Sequence, residues 1–170
     1  MSRTLMGDDE MATVQLKVMS DHEYEVFLSG AVKDYAKDKV EAGTWSEDEA
    51  LTLSKESFER YLPEGKDTKD AFLYTVWVQE EGHEVAVGYL WFNITEDPTG
   101  RNAFIYDILI HEQYQGKGYG KATMAALDEA ARQQGVDKIS LHVFGHNQRA
   151  FQLYQKVGYE ITDIVMSKRL

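Results

Sequence analysis

The chain contains no cysteine. Disulfides, thiolate nucleophiles and cysteine-based metal sites are therefore excluded. Its five histidines stand without metal-ligand spacing, no H-E-x-x-H occurs, and no metal is expected. Proline appears twice, at Pro63 and Pro98, so no Pro-rich linker divides the chain. No apolar run approaches the roughly 18 residues of a membrane span. The N-terminus has no apolar signal core, which makes the cytoplasm the expected location. Basic residues are also scarce, with 18 Lys and Arg against 29 Asp and Glu, a net charge of −11. Such a chain repels nucleic acid and anionic lipid, so neither is an expected partner, and its field favours a cation such as an amine.

What remains is ordinary globular material. With 170 residues, 43% hydrophobic and 12% aromatic, one domain with a substantial core is expected. Residues 1–10 are polar and acidic and read as a disordered extension, leaving residues 11–170 as the single domain. Val14, Leu16 and Val18 alternate in a first strand. Capping boxes at Ser20-x-x-Glu23 and Ser46-x-x-Glu49 open two helices, which stop at Gly43 and Pro63. The first carries Tyr24, Phe27, Leu28, Ala31 and Tyr35 on one face, and the second turns Leu51, Phe58, Tyr61 and Leu62 inward. Strands follow at 72–78, 85–93 and 104–110, then a helix ending at Gln134-Gly135, a strand with Ile139, Leu141 and Val143, a short helix through Tyr154, and a last strand Tyr159 to Met166. The order β-α-α-β-β-β-α-β-α-β predicts an α/β protein with a mixed sheet and helices on both faces.

The most informative stretch joins the strand Phe104–Ile110 to the Ala-rich helix that follows. Between them lie Gln115, Gly116, Lys117, Gly118, Tyr119, Gly120 and Lys121. Glycine lets backbone N–H groups approach a ligand, and the first N–H groups of a helix lack internal partners and carry partial positive charge. A glycine-rich strand-to-helix turn is an anion site, most often for phosphate. The nucleoside-triphosphate loop G-x-x-x-x-G-K-[ST] fails because Ala122 follows Lys121 and Gln occupies position 115. The dinucleotide pattern G-x-G-x-x-G fails on spacing.

The pattern Q/R-x-x-G-x-G/A fits Gln115, Gly118 and Gly120 in full. It resembles the acetyl-CoA pyrophosphate loop of the GNAT N-acetyltransferases. A second signature follows at the family's distance: Leu141-His142-Val143, then Asn147, Ala150-Phe151, Leu153-Tyr154 and Gly158-Tyr159. The N-terminal half resembles small bacterial single-domain members. This resemblance implies a central sheet of about six to seven strands flanked by about four helices. It also implies acetyl-CoA as cosubstrate and an amine as acceptor, a small molecule or a protein amine, with a homodimer plausible. The runner-up is a CoA-binding regulatory module without catalysis.

The same resemblance assigns roles. Ile108, Leu109 and Ile110 would offer backbone to the pantetheine arm, with the amide near Ile108 as oxyanion donor. Gln115 to Lys121 would hold the pyrophosphate. Asn147 would bond the pantetheine amides, Arg149 would meet the 3′-phosphate, and Phe151 would complete the cofactor wall. Locally, Asn147 reads equally well as an N-cap and Arg149 as a solvated charge. Tyr154 is the candidate acid, since a phenol is protonated at neutral pH and can protonate a thiolate. Asp107 and His142 are candidate bases beside the expected thioester position. Trp45, Tyr74, Trp91 and Tyr106 are core aromatics that could also line an acceptor pocket.

Overall fold

The computed structural model describes residues 12–170. The expected extension 1–10 lies outside the described residues. Five strands form one sheet in the order β1–β2–β3–β4–β5: β1 (Gln15–Val18), β2 (Ala71–Glu80), β3 (His83–Asp97), β4 (Gly100–Ile110) and β5 (Lys138–Leu141). The first four run antiparallel and β5 joins β4 in parallel, so the sheet is mixed. The helices are α1 (Asp21–Glu41), α2 (Glu47–Tyr61), α3 (Tyr119–Gln133) and α4 (Gln148–Lys156).

Local chemistry sets the boundaries. Ser20 opens α1 with a full capping box: its hydroxyl accepts from the Glu23 N–H, and the Glu23 carboxylate accepts from the Ser20 N–H at 2.7 Å. The second predicted box is not built this way. The Ser46 hydroxyl donates to the Glu49 carboxylate at 2.8 Å and no side chain caps the backbone, so the acidic first turn stabilises α2 through the dipole alone. The β2–β3 hairpin turns on Glu81-Gly82, both at positive φ, which is the mirror-image turn that matches strand twist.

Cross-strand alternation divides the core into two layers. On one face α1 and α2 bury Phe27, Ala31, Val32, Phe58 and Leu62 against Leu73 and Trp91. On the other, Met124 and Leu127 of α3 cover Leu90, Phe92, Ala103 and Ile105, with Tyr154 of α4 at the margin. Helices therefore lie on both faces, as the element order predicts. Within α2 the inward residues are Ala50, Ser54 and Phe58, with Leu62 following at its C-cap. Leu51 and Tyr61 are instead exposed, because the helix phase is set by Phe58 and by the Ser54 hydroxyl donating 2.7 Å to the Val32 carbonyl across the α1–α2 contact.

Two strand predictions need correction. The sheet has five strands rather than six or seven, because Tyr159–Met166 pairs with nothing among the described residues. Its strand-forming composition is real, but β5 is only four residues long and the segment does not come back onto it. Val143 likewise lies beyond the end of β5.

Candidate active site

The site is built where β4 leaves its neighbour. Pairing with β5 ends at Ile105–Leu141, while β4 continues to Ile110 against β3. One backbone edge of residues 106–110 therefore faces a wedge instead of a strand. Within Ile108–Ile110 the backbone groups alternate: the His111 N–H and the Leu109 carbonyl turn to β3, while Ile108 and Ile110 turn to the wedge, where the Ile110 carbonyl accepts from the Gln115 amide.

A β-bulge shapes the upper part of the wedge. Trp91 pairs with Asp107 and Phe92 with Ile105, leaving Tyr106 as the extra residue. Alternation would send Tyr106 and Asp107 to opposite faces. The bulge sends both toward the α1–α2 face: Tyr106 stacks on Trp91 at 4.7 Å and meets Tyr61 at a tilt at 4.6 Å, and Asp107 feels the charges of Asp34 and Asp38 on α1. Asp107 keeps some surface open to the cleft, yet protein surrounds it closely. Desolvation pushes its carboxyl up to about 7, with Asp34 and Asp38 adding to the rise and the Tyr89 hydroxyl and the Ile108 N–H opposing it. Burial, with the Asp107 and Asp34 charges, drives the Tyr89 phenol strongly upward, so it stays protonated. Tyr89 and Asp34 were not singled out from sequence. Each is an ordinary helix or strand residue whose role exists only once α1 lies over β3 and β4.

Tyr154 reaches the same wedge from α4. Desolvation first, and the Asp107 charge second, push its phenol up to about 12. Its ring stands 5.8 Å from Tyr159, whose buried hydroxyl has no partner among the described residues. His142 follows the end of β5, exposed, with its ring edge-on to Phe144 at 4.9 Å. Desolvation and the Lys39 ammonium hold its imidazole below the usual value, so it is neutral at pH 7.

The lower part of the wedge is the glycine loop. Gly116 and Gly118 have φ of 79° and 83°, conformations that glycine adopts without strain. Gly118 is the N-cap of α3 and supplies no side chain, so the N–H groups of Tyr119, Gly120 and Lys121 keep no helical partner. Gly120 packs so closely on α4 that a Cβ there would stand 3.2 Å from Leu153. Gln115 braces the loop: its amide donates 2.7 Å to the Ile110 carbonyl, and the Arg149 guanidinium donates to its side-chain oxygen. Arg149 thus ties the two sequence signatures together. Lys117 and Tyr119 both bond Glu80, at 2.8 and 2.9 Å, which spends the Lys117 charge within the protein. Lys121 is exposed and has no ion-pair partner among the described residues. Asn147 caps α4, its side chain accepting from the Ala150 N–H at 3.2 Å, and Phe151 is half-buried on that helix. A pyrophosphate fits this cradle, since the open N–H groups and the absent Cβ atoms leave room where an anion is favoured.

Of the aromatics considered for an acceptor pocket, Trp91 is core and Tyr74 packs on Phe92. Trp45 instead meets Tyr35 edge-on at 5.4 Å, and Lys39 lies over both rings. His146, 108 residues from Asp38 in sequence, stands 3.1 Å from its carboxylate and 3.8 Å from that of Glu41, a contact that spacing along the chain conceals. Among the described residues no helix is long and apolar enough to cross a membrane.

A sequence model of the Acetyltransferase (GNAT) family matches residues 34–159. The uncharacterized N-acetyltransferase YycN of Bacillus subtilis strain 168 is 44% identical over 93% of this chain and 99% of its own. Its crystal structure superposes with a TM-score of 0.86 over the same shares. The uncharacterized N-acetyltransferase YdgE of the same strain is 36% identical over 91% of this chain and 97% of its own. A protein of Clostridium acetobutylicum described as a predicted acetyltransferase, solved with acetyl-CoA, shares the fold at a TM-score of 0.59 and 15% identity, over 92% of this chain and 96% of its own. The chain belongs to the GNAT acetyltransferase family.

Proposed function

We propose that the chain transfers the acetyl group of acetyl-CoA to a primary amine by direct attack within the β4–β5 wedge. The observation that carries this reading is the juxtaposition of three things: an unpaired strand edge, an uncapped helix N-terminus at its foot, and a carboxyl and a phenol on either side. Acetyl-CoA supplies the activated thioester. The N–H groups of Gly116 to Lys121 receive its pyrophosphate, with Lys121 adding charge. Gln115 and Arg149 hold the loop in place. The stretch Ile108–Ile110 takes the pantetheine as an added strand, and the Ile108 N–H, which bonds the Asp107 carboxylate in the free protein, turns to the oxygen on which negative charge develops. Asn147 fixes the start of α4 and Phe151 lines its cofactor side.

Asp107 acts as the base. A carboxyl raised to about 7 accepts a proton from an ammonium far better than an ordinary aspartate, and at neutral pH a usable fraction is ionised. His142 is neutral and could serve the same end, but it sits at the exposed rim beside Lys39. Asp107 is therefore assigned the role. Tyr154 donates to the departing sulfur. The desolvation that weakens the phenol as an acid also makes a thiolate in the same wedge more basic, which offsets that weakening. Asp34 and Asp38 make the entrance attractive to a cationic acceptor.

The test is thiol release from acetyl-CoA across a panel of amines, with melting followed in parallel. Amine-dependent release together with stabilisation by CoA is the expected result. Stabilisation without release from any amine favours the non-catalytic module, and no stabilisation removes CoA altogether.

A further inference from the structure

The Lys39 ammonium sits among three aromatic rings from three parts of the chain: Tyr35 one turn earlier on α1 at 5.5 Å, Trp45 in the α1–α2 joint at 5.4 Å, and Phe144 beyond β5 at 5.9 Å. The joint is built around it, since the Lys39 carbonyl accepts from the Thr44 and Trp45 N–H groups at 2.9 and 3.3 Å. Ring faces attract a cation but bring no counter-charge. The neighbouring carboxylates do not bring one either. Asp38 and Glu41 turn to His146, at 3.1 and 3.8 Å, and among the described residues Lys39 makes no ion pair. In a chain with 29 acidic side chains, a half-buried lysine held by rings alone leaves its charge open to a ligand.

Its position says which ligand. Phe144 also meets His142 edge-on at 4.9 Å, and the Lys39 charge is felt at the His142 imidazole. His142 follows Leu141, the partner of Ile105, so it stands where the wedge opens beside Tyr106 and Asp107. The mouth therefore has two unlike sides. On one, Asp34 and Asp38 act on Asp107, where an ammonium is to lose its proton. On the other, Lys39 stands with a neutral His142, whose ring N–H can donate a second hydrogen bond.

Building on the transfer reading above, we propose that the acceptor is an amino acid whose reacting amine is set apart from its carboxylate, with the amine at Asp107 and the carboxylate at Lys39 and His142. A carboxylate suits the site better than a phosphate, because one fixed cation balances one charge and the net charge of −11 opposes a dianion. A spacer is needed because the two groups are served by different elements, β4 on one side and α1 with the end of β5 on the other. The rings hold Lys39 in place before the acceptor arrives, so little side-chain freedom is lost on binding.

Matched acceptors test this at saturating acetyl-CoA: δ-aminovalerate against pentylamine, and lysine against cadaverine. The parent should favour the carboxylate-bearing member of each pair by at least ~10-fold in kcat/KM, the yield of one charge-assisted hydrogen bond. Lys39→Met keeps an unbranched stem against the rings and removes the charge, so the preference should fall to near parity through KM. Lys39→Arg should retain most of it. If Lys39 only clamped α1 to Phe144, Lys39→Met would lower melting and slow both members alike, and the preference would survive; that result overturns the proposal. A parent that uses pentylamine and cadaverine as well as their carboxylate partners overturns it without any variant, and leaves acetyl transfer standing. No turnover of any acceptor, in these pairs or in the wider amine panel, removes the transfer reading and this inference with it.

Discussion

Asp107 carries opposite consequences for activity and stability. Its folded-state carboxyl lies near 7, above the ordinary aspartate value, so between those two values the folded protein holds a proton that the unfolded chain has lost. Stability contributed by the protonated form is present at low pH and is lost as pH rises through about 7. Asp107→Asn should therefore melt several degrees above the parent at alkaline pH and close to it at pH 4–5. Activity should go the other way, with kcat lower by ~10²–10⁴ and the inflection near neutrality gone from the kcat/KM profile. A parent profile without that inflection would move the base elsewhere. Tyr154→Phe keeps the ring and removes the acid. It should melt near the parent and bind acetyl-CoA similarly, with kcat reduced at least ~10-fold. With the phenol pushed up to about 12, no alkaline limb from Tyr154 should appear in the ordinary assay range. Full kcat in the folded variant would leave the sulfur to water. Both residues were legible in the sequence as candidates. The bulge at Tyr106 that aims Asp107 was not, because a single unpaired residue leaves no trace in alternation.

At the scale of elements, the glycine loop and α3 form one device. Its spacing was readable because it needs particular residues: Gly116 and Gly118 at positive φ, and Gly120 against Leu153. Gly118→Val puts a branched side chain at φ 83° and over the first turn of α3. It should lower stability by about 1–2 kcal/mol and weaken CoA binding by more than ~10-fold, read by calorimetry on protein shown to be folded. Unchanged affinity would place the pyrophosphate elsewhere. Other elements were less legible. Ser46-x-x-Glu49 fits the capping-box pattern, yet the two side chains bond each other. In the second helix Phe58 and Leu62 turn inward as expected, but the other inward positions belong to Ala50 and Ser54 rather than to Leu51 and Tyr61, because hydropathy alone ranks Leu51 and Tyr61 above them. Tyr159–Met166 was assigned a strand on local composition, but a strand exists only with a partner, and that lies beyond local sequence.

Across the whole molecule, the mixed sheet, its two helical layers and the order of elements as far as α4 followed from periodicity and turn residues, since these are local signals repeated over long segments. Nothing local brings Asp34, Asp38, Tyr89 and Asp107 together, or Asp38 to His146. The net charge of −11 acts at this scale too. At saturating acetyl-CoA, kcat/KM for a cationic amine should fall as salt is raised toward physiological strength, where charges are screened beyond about 8 Å. A rate indifferent to salt would leave the acidic surface a matter of solubility. The placement of the whole reaction in the β4–β5 wedge is tested most directly by hydrogen exchange with and without acetyl-CoA, which needs no acceptor. Slowed exchange should concentrate in Tyr106–Ile110 and Gln115–Ala122, the open strand edge and the start of α3. Protection that leaves both stretches unchanged, or that falls between α1 and α2, would contradict it.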